Sequence, residues 1–188
     1  IRYRSVSRGL GDVYKRQDEG YTDVIHVPIN RSGSSTYNNA VMAQGMLREE
    51  RPEHHLRIHL LDPHTYSMPF GWYVCEMARK LQNGAEISHV IQEFETQMDK
   101  MEIVLGPYSL KQMKKSGRIS AAAAVMGELM GIRPIITLID GKTRVESKVR
   151  GDDKVIPAMI DLCKKRTEGV EDFDYMICLL YTSDAADE

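Results

Sequence analysis

The sequence predicts an α/β protein with a parallel-sheet first subdomain and a second α/β subdomain that contains an antiparallel hairpin. In the N-terminal half, short aliphatic and β-branched runs alternate with helical periodicity, which is typical of parallel strands joined by crossover helices. Further on, Asp140-Gly141 separates two strand-like runs, and this dipeptide is a strong signal for a type I′ hairpin turn. We expect residues 18–100 to form the first subdomain and residues 101–178 the second, both of them partial.

The first subdomain alternates predicted strands and helices. Apolar, β-branched runs predict buried strands at residues 21–29 and 56–61. Apolar side chains at spacings of three and four predict helices at residues 36–50, 72–82 and 86–100. An Asn-Gly pair closes the second of these helices as a C-terminal cap. The segment before that helix is rich in Pro, Ser and Gly, so we expect it to be a loop.

The second subdomain contains the hairpin and further helices. The same signals predict, in chain order, a strand at residues 102–105, helices at 110–115 and 121–130, hairpin strands at 134–139 and 142–150, a helix at 152–166 and the beginning of a strand at 173–178. Charged residues alternate along the second hairpin strand. A period of two predicts that these charges share one exposed face, which is either simply solvated or a docking surface for an acidic partner.

Composition excludes several function classes. The chain has 188 residues with 25 Lys and Arg against 27 Asp and Glu, so its charge gives no case for nucleic-acid binding. No apolar run approaches the roughly 20 residues that span a bilayer, so we expect no integral membrane segment. The three cysteines have neither disulfide-framework nor zinc-site spacing, which indicates a reducing compartment and hence a cytoplasmic location. Four histidines between residues 54 and 64 lack partners at ligand spacing, so we expect no metal.

The two ends differ from the middle of the chain. Residues 1–17 are basic and show little periodicity, and residues 179–188 follow an apolar stretch without a turn signal. The strings GLGDVYKRQ and CLLYTSDAADE resemble translated sequencing-adapter sequence. We therefore expect both ends to be artefacts that flank the central fragment of a longer protein, and we exclude them from the fold prediction. The alternative is a natural basic arm and an acidic tail.

The clearest candidate site is a strand, a loop and a helix with the sequence VIHVPI, NRSGSS and TYNNAVMAQ. Ser34, Ser35 and Thr36 fall where the helix begins, and the first N–H groups of a helix lack intrahelical partners. With the positive end of the helix dipole and the hydroxyls, this start is a candidate anion site. The alternative is plain N-capping. The loop has neither the Gly-Lys-Ser/Thr ending of a P-loop nor the second Gly of a nucleophile elbow.

Two other segments are weaker candidates. The segment DPHTYS, residues 62–67, follows the second predicted strand at the end where open α/β sheets bind ligands. The segment KKSGRIS, residues 114–120, is a positive loop before a predicted helix, and Arg118 lies in it. Each also has an ordinary interpretation, as a capped turn and as a helix C-terminus with compensating lysines.

These residues resemble the DegV family of bacterial fatty-acid-binding proteins, which includes the substrate-binding subunit of fatty acid kinase. The resemblance runs from about residue 18 to residue 177 and rests on GYTDVIHVPINRSGSSTYNNA, LDPHTYSMPFG and KKSGRISAAAAVMGELMGIRPIITLIDGK. It implies a long-chain fatty acid buried between two α/β domains, with Ser34 and the following N–H groups on its carboxylate. The chain departs from the family pattern at Ser35, where a Gly is usual, and at Asp62-Pro63, where the family has Asp-Ser.

The resemblance gives the leading functional hypothesis. We expect a lipid-binding carrier that holds the carboxylate with Ser34, Ser35 and Thr36, with Arg118 neutralising it or docking the partner. That partner would be a separate fatty acid kinase that forms an acyl phosphate. We expect no catalytic residues and no cofactor, the fatty acid being the ligand. The alternative is a phosphate-ester or phosphotransferase enzyme that uses the same anion site. A protein-interaction module on the basic hairpin face is a third hypothesis.

Overall fold

In a computed structural model, the chain is described for residues 20–53, 55–110 and 131–178. Both terminal segments, Arg118 and the helix predicted at 121–130 lie outside these ranges. So does all but the first residue of the helix predicted at 110–115, and that residue is not helical. Within the ranges the α/β class is confirmed, with one parallel and one antiparallel sheet.

The first two strands form the predicted parallel pair. Strand β1 (Asp23–His26) lies beside β2 (Arg57–Leu60), in a register that places Asp23 opposite Arg57 and His26 opposite Leu60. Helix α1 (Thr36–Glu50) connects them and has the predicted bounds. It also packs on β2, where Gln44 Nε2 donates a hydrogen bond to the Ile58 carbonyl at 2.7 Å. The strands are shorter than predicted because only their central residues pair.

A charged cluster ties the amino ends of these strands together. The Asp23 carboxylate accepts a hydrogen bond from Arg57 Nη2 at 2.7 Å and lies 2.8 Å from His59 Nε2. The Arg57 guanidinium, followed by His59, lowers the pKa of Asp23 to about 2. The carboxylate therefore stays ionised at neutral pH. Since ligands of open α/β sheets bind at the opposite, carboxyl end of the strands, this cluster has a structural role.

Two antiparallel helices complete this part of the protein. Helix α2 (Met68–Gln82) begins four residues before its predicted start, because Pro69 fits the first helical turn rather than a loop. Helix α3 (Ile87–Met98) begins after Glu86, whose carboxylate accepts a hydrogen bond from the Ser88 N–H at 2.8 Å. Buried side chains from both helices and from the end of β2 form the main core: Leu61, Met77, Val90, Phe94 and Met98.

The second sheet is antiparallel and contains the predicted hairpin. Its order is β3 (Glu102–Leu105), β4 (Ile132–Ile139) and β5 (Lys142–Arg150). Asp140 and Gly141 have φ of 48° and 71°, as a type I′ turn requires. Helix α4 (Val155–Arg166) packs on β3 and β4. Residues 152–154, predicted as its first turn, instead form a short 3₁₀ helix.

The prediction that the charges of β5 share one face is wrong. Ile136 pairs with Val145 and Ile135 pairs with Ser147, so Glu146 is an extra residue in a β-bulge. A bulge reverses the alternation of faces that follows it. Lys142 and Arg144 therefore lie on one face of β5, and Lys148 and Arg150 on the other. Glu146 accepts a hydrogen bond from Arg166 of α4 at 3.1 Å.

The prediction of a strand beginning at residue 173 is also wrong. Residues 173–178 are irregular in the structure, although their sequence FDYMIC is apolar and β-branched in part. A strand needs a neighbour for its backbone N–H and C=O groups. In the described part of the chain, none of the five strands pairs with this segment.

Candidate functional site

The loops that follow β1 and β2 lie side by side at the carboxyl edge of the parallel sheet. The Asn30 N–H donates to the Thr65 carbonyl at 3.1 Å, and the Arg31 N–H donates to Asp62 Oδ1 at 3.3 Å. We call them the serine loop, residues 27–35, and the second loop, residues 61–67. Both predicted segments at this edge are therefore brought together by direct hydrogen bonds.

The serine loop is folded around Asn30. This side chain is 1 % exposed, and its Oδ1 accepts hydrogen bonds from the Ser32 N–H at 2.7 Å and the Ser32 hydroxyl at 2.5 Å. The Asn30 carbonyl accepts another from the Gly33 N–H at 3.1 Å. Gly33 lies directly against the Tyr66 ring, where a Cβ would collide with the phenol. A side chain at this position would therefore have to displace the Tyr66 ring.

The three predicted site residues Ser34, Ser35 and Thr36 lie at the start of α1. Ser35 occupies the N-cap position, but its side chain makes no capping hydrogen bond. Instead, Ser34 Oγ accepts a hydrogen bond from the Thr36 N–H at 3.2 Å and lies 2.7 Å from Thr36 Oγ1. Ser34 is half-buried, whereas Ser35 and Thr36 are exposed. Because Ser34 Oγ already accepts a hydrogen bond from an N–H group at the helix start, the N-capping interpretation holds in part for this residue.

Asp62 links the two loops. Its side chain is 8 % exposed and pairs with Arg31, whose Nε lies 3.1 Å from Oδ2. Its other oxygen accepts hydrogen bonds from the Arg31 and His64 N–H groups at 3.3 and 3.1 Å. The alternative enzyme hypothesis has Asp62 as its candidate carboxylate. Because that carboxylate accepts hydrogen bonds from two backbone N–H groups and pairs with the Arg31 guanidinium, its contacts hold the two loops together.

The hairpin turn of the antiparallel sheet reaches this site. The Tyr66 hydroxyl donates to the Gly141 carbonyl at 3.3 Å. A Cβ on Gly141 would lie 2.6 Å from Asn30 Cγ, so turn and serine loop are in close contact. His64 Nδ1 lies 3.4 Å from an Asp140 oxygen and 3.6 Å from an Asp99 oxygen. The carboxyl edge of the parallel sheet is therefore covered by the part of the chain that carries the antiparallel sheet.

The sequence predicts loops that contain Asn30 and Tyr66 and a turn that contains Gly141, but it does not predict the contacts among them. Asn30, Tyr66 and Gly141 meet through contacts between distant segments, which periodicity does not reveal. The burial of Thr65, within the candidate segment 62–67, is also not predicted: the residue is 3 % exposed, and its hydroxyl has no hydrogen-bond partner in the described ranges. The Asp-Gly turn did signal that the chain reverses at residue 140, although not where the turn lies in the fold.

A cavity in the described part of the chain lies elsewhere, between α2 and α3. Its volume is about 190 Å³, and it is lined by side chains of these helices and by Asp174. It does not border Ser34, Ser35 or Thr36. Pockets for drug-sized ligands have volumes of roughly 300–1,000 Å³, so we do not assign a long acyl chain to this cavity. Arg118, the fourth predicted site residue, lies outside the described ranges.

The described residues also bear on metal binding and on membrane insertion. In residues 20–53, 55–110 and 131–178, no three His, Cys, Asp or Glu side chains are grouped so that they could share a metal ion. Within the same ranges, every helix is too short or too polar to span a bilayer.

Comparison with known proteins identifies a family. The model of the DegV family, described as uncharacterised proteins, matches residues 6–188. That range includes most of both terminal segments, whose interpretation as artefacts stays a prediction. A DegV domain-containing protein of Clostridium perfringens is 29% identical over 166 residues, which are 87% of this chain and 57% of the relative. The chain thus spans little more than half the length of this relative.

Solved structures have the same fold. A fatty acid binding DegV family protein from Streptococcus agalactiae is 26% identical, with a TM-score of 0.72 over 87% of this chain and 56% of that one. The fatty acid kinase B3 protein of Streptococcus pneumoniae, solved with linoleic acid, is 22% identical, with a TM-score of 0.68 over 82% of this chain and 55% of that one. At 22% identity, the likeness to the fatty acid kinase B3 protein shows a shared fold. With a family match that covers nearly the whole sequence, this chain belongs to the DegV family.

Proposed function

We propose that this chain is the central part of a protein that binds a long-chain fatty acid between its two α/β parts. The observation that carries the proposal is membership of the DegV family together with the likeness to the fatty acid binding protein of Streptococcus agalactiae. The contact of the hairpin turn with the serine loop supports it, because a ligand at the carboxyl edge would then lie between the two sheets.

The chemistry of the serine loop suits a carboxylate. Burying an ionised headgroup is costly unless hydrogen-bond donors meet it. Helix α1 has its N–H groups and positive dipole end here, and Ser34, Ser35 and Thr36 add hydroxyls. In this proposal Arg118 supplies the balancing charge. The buried hydroxyl of Thr65, in the adjoining loop, is a further candidate donor because no described group uses it.

An apolar surface lies next to this headgroup site. Val41, Met42 and Met46 of α1 are 44, 61 and 45 % exposed. They lie between one and three helical turns after the start of the helix. Methionine side chains adapt to irregular apolar partners. About fifteen methylenes would contribute on the order of 10 kcal/mol of gross burial energy. We propose that the acyl chain passes along this face of α1.

As a carrier, the protein would present the carboxylate to a separate kinase, which would form the acyl phosphate. The kinase step rests on the family resemblance, and the fatty acid kinase B3 protein that shares this fold agrees with it. We place the protein in the cytoplasm and propose that it has no catalytic residues and needs no cofactor. The phosphotransferase alternative gains no support from Asp62, which is engaged with Arg31.

Mass spectrometry tests the binding proposal directly. The full-length protein that contains this chain should be purified in folded form and extracted with organic solvent. We expect the extract to contain a long-chain fatty acid in an amount comparable to that of the protein. A folded preparation that contains no acyl species would contradict the carrier function.

Replacing Ser34 with alanine tests the headgroup site. We expect Ser34→Ala to weaken fatty-acid binding by about 1–3 kcal/mol, because the carboxylate loses one donor in a partly buried site. The measurement is a binding titration with a fluorescent long-chain fatty acid. Ser147→Ala, on the exposed surface of β5, is the matched control and should leave the affinity unchanged. An unchanged affinity in Ser34→Ala would mean that the headgroup binds elsewhere.

A further inference from the structure

Tyr66 contacts two segments that meet at the carboxyl edge of the parallel sheet. Its ring lies against the serine loop, because a Cβ on Gly33 would be 2.7 Å from Tyr66 Cζ. Its hydroxyl donates a hydrogen bond to the Gly141 carbonyl of the β4–β5 turn at 3.3 Å. Tyr66 itself belongs to the second loop and is half-buried. One side chain therefore connects the second loop, the serine loop and the turn.

The Tyr66 ring lies beside the residue that immediately precedes Ser34. The φ of Gly33 is not positive, so the backbone conformation does not call for glycine at this position. The three atoms nearest to a Cβ on Gly33 all belong to Tyr66. Close approach of the phenol ring therefore accounts for this glycine. Through Gly33, the position of the ring bears on the position of Ser34.

The turn also contacts the other end of the serine loop. A Cβ on Gly141 would lie 2.6 Å from Cγ of Asn30, whose Oδ1 accepts a hydrogen bond from the Ser32 N–H at 2.7 Å. The turn therefore meets the loop directly at Asn30 and, through Tyr66, at Gly33. Closely packed contacts of this kind transmit small displacements rather than absorb them.

We propose that Tyr66 is a positioning residue that couples the headgroup site to the β4–β5 turn. The ring holds the backbone before Ser34, and the hydroxyl fixes the ring relative to the turn. Closure of the turn and binding at the start of α1 then favour each other, because coupling between two sites is reciprocal. The identity of the ligand rests on the proposed function, whereas the dependence of the serine loop on Tyr66 does not.

A double-mutant cycle tests the ring contact without a ligand. Gly33→Ala should raise the unfolding equilibrium constant, measured in urea, by about ten- to a hundredfold, because its methyl group overpacks against the ring. In a Tyr66→Ala background the ring is gone, and the same change should cost less than about threefold. Gly45→Ala in α1, where a Cβ meets nothing within 4 Å, is the matched control and should not destabilise either background. Equal costs of Gly33→Ala in both backgrounds would overturn the proposal.

Tyr66→Phe separates the coupling from the packing, because it keeps the ring and removes the hydroxyl. Amide hydrogen exchange of Gly33 and Thr36, whose N–H groups are bonded within the loop, is measured on the ligand-free chain. We expect exchange to become about two- to tenfold faster once the ring is released from the turn. Tyr108→Phe, at a side chain that is 50 % exposed, is the matched control and should change nothing. Unchanged exchange in Tyr66→Phe would show that the turn does not position the loop.

A fatty-acid titration of the full-length protein then tests the effect on the site. We expect Tyr66→Phe to bind a fluorescent long-chain fatty acid about three- to tenfold more weakly than the wild type, and Tyr108→Phe to bind it equally well. Saturating fatty acid should slow amide exchange of residues 140–142 in the wild type but not in Tyr66→Phe, a difference that a purely structural role would not produce. Equal affinity of the wild type and Tyr66→Phe would contradict the coupling. If the wild type binds no fatty acid, the proposed function fails, and the cycle and the exchange of the ligand-free chain still decide whether Tyr66 positions the loop.

Discussion

Gly141→Ala is expected to destabilise the protein by about 2–4 kcal/mol. Two costs combine. Gly141 has a φ of 71°, where an L-residue with a Cβ is strained. The new methyl group would also lie 2.6 Å from Cγ of Asn30, a side chain that is 1 % exposed and cannot move aside without breaking its bonds to Ser32. Urea unfolding followed by circular dichroism measures the change.

Gly84→Ala separates the two costs. Gly84 has a φ of 85°, but a Cβ there meets nothing within 4 Å, so only the backbone strain applies. We expect this variant to lose about 1–2 kcal/mol. The difference between the two variants then measures the contact between the hairpin turn and the serine loop. In the fatty-acid titration, Gly141→Ala should lose affinity and Gly84→Ala should not. Equal stability losses would show that the contact contributes nothing.

The hairpin was predictable because its signal is local. Asp140 and Gly141 are the residue types that accept positive φ in succession, and the strands on each side have β-branched residues. Helices α1 and α3 were predictable for a similar reason. In α3 the apolar spacing is regular, and Val90, Phe94 and Met98 face the core as the pattern requires, whereas in α1 only Leu47 is buried.

Other features depend on information that the local sequence does not hold. The β-bulge at Glu146 is set by how β5 fits against β4 and by the pairing of Glu146 with Arg166, so the alternation of charges was misleading. Residues 173–178 have a strand-like composition, but they pair with no strand in the described ranges. The predicted start of α2 is four residues too late because the Pro-, Ser- and Gly-rich segment predicts a loop, although proline is favoured in a first helical turn.

In the candidate site, too, the local features are predictable from the sequence and the long-range contacts are not. Ser34, Ser35 and Thr36 were found because a strand, a loop with small polar residues and a helix occur in succession, and general physics assigns anion affinity to such a helix start. The bonds from the serine loop to Thr65 and Asp62 join residues more than thirty positions apart, and no single-sequence pattern encodes them. The sequence therefore predicts the segments around the site, whereas their contacts emerge only from the fold.

Phe94→Ala is expected to have the largest effect on stability. Phe94 is 2 % exposed and packs among Leu61, Met77, Val90 and Met98 in the core that joins α2 and α3 to the parallel sheet. Truncating a buried phenylalanine removes its transfer energy and leaves a void, which together cost about 3–5 kcal/mol. Since domains are commonly stable by only about 5–15 kcal/mol, a loss of this size is a large share of the total stability. Urea unfolding at neutral pH measures the loss.

Phe173→Ala provides the matched control, because it removes the same atoms from a side chain that is 49 % exposed. We expect this change to alter stability by less than about 0.5 kcal/mol. The cavity between α2 and α3 already borders Phe94, so the truncated site would merge with an existing opening rather than create an isolated void. If water fills the merged space, the penalty falls towards about 3 kcal/mol, whereas a loss below about 1 kcal/mol would mean that α3 does not pack on the sheet as described.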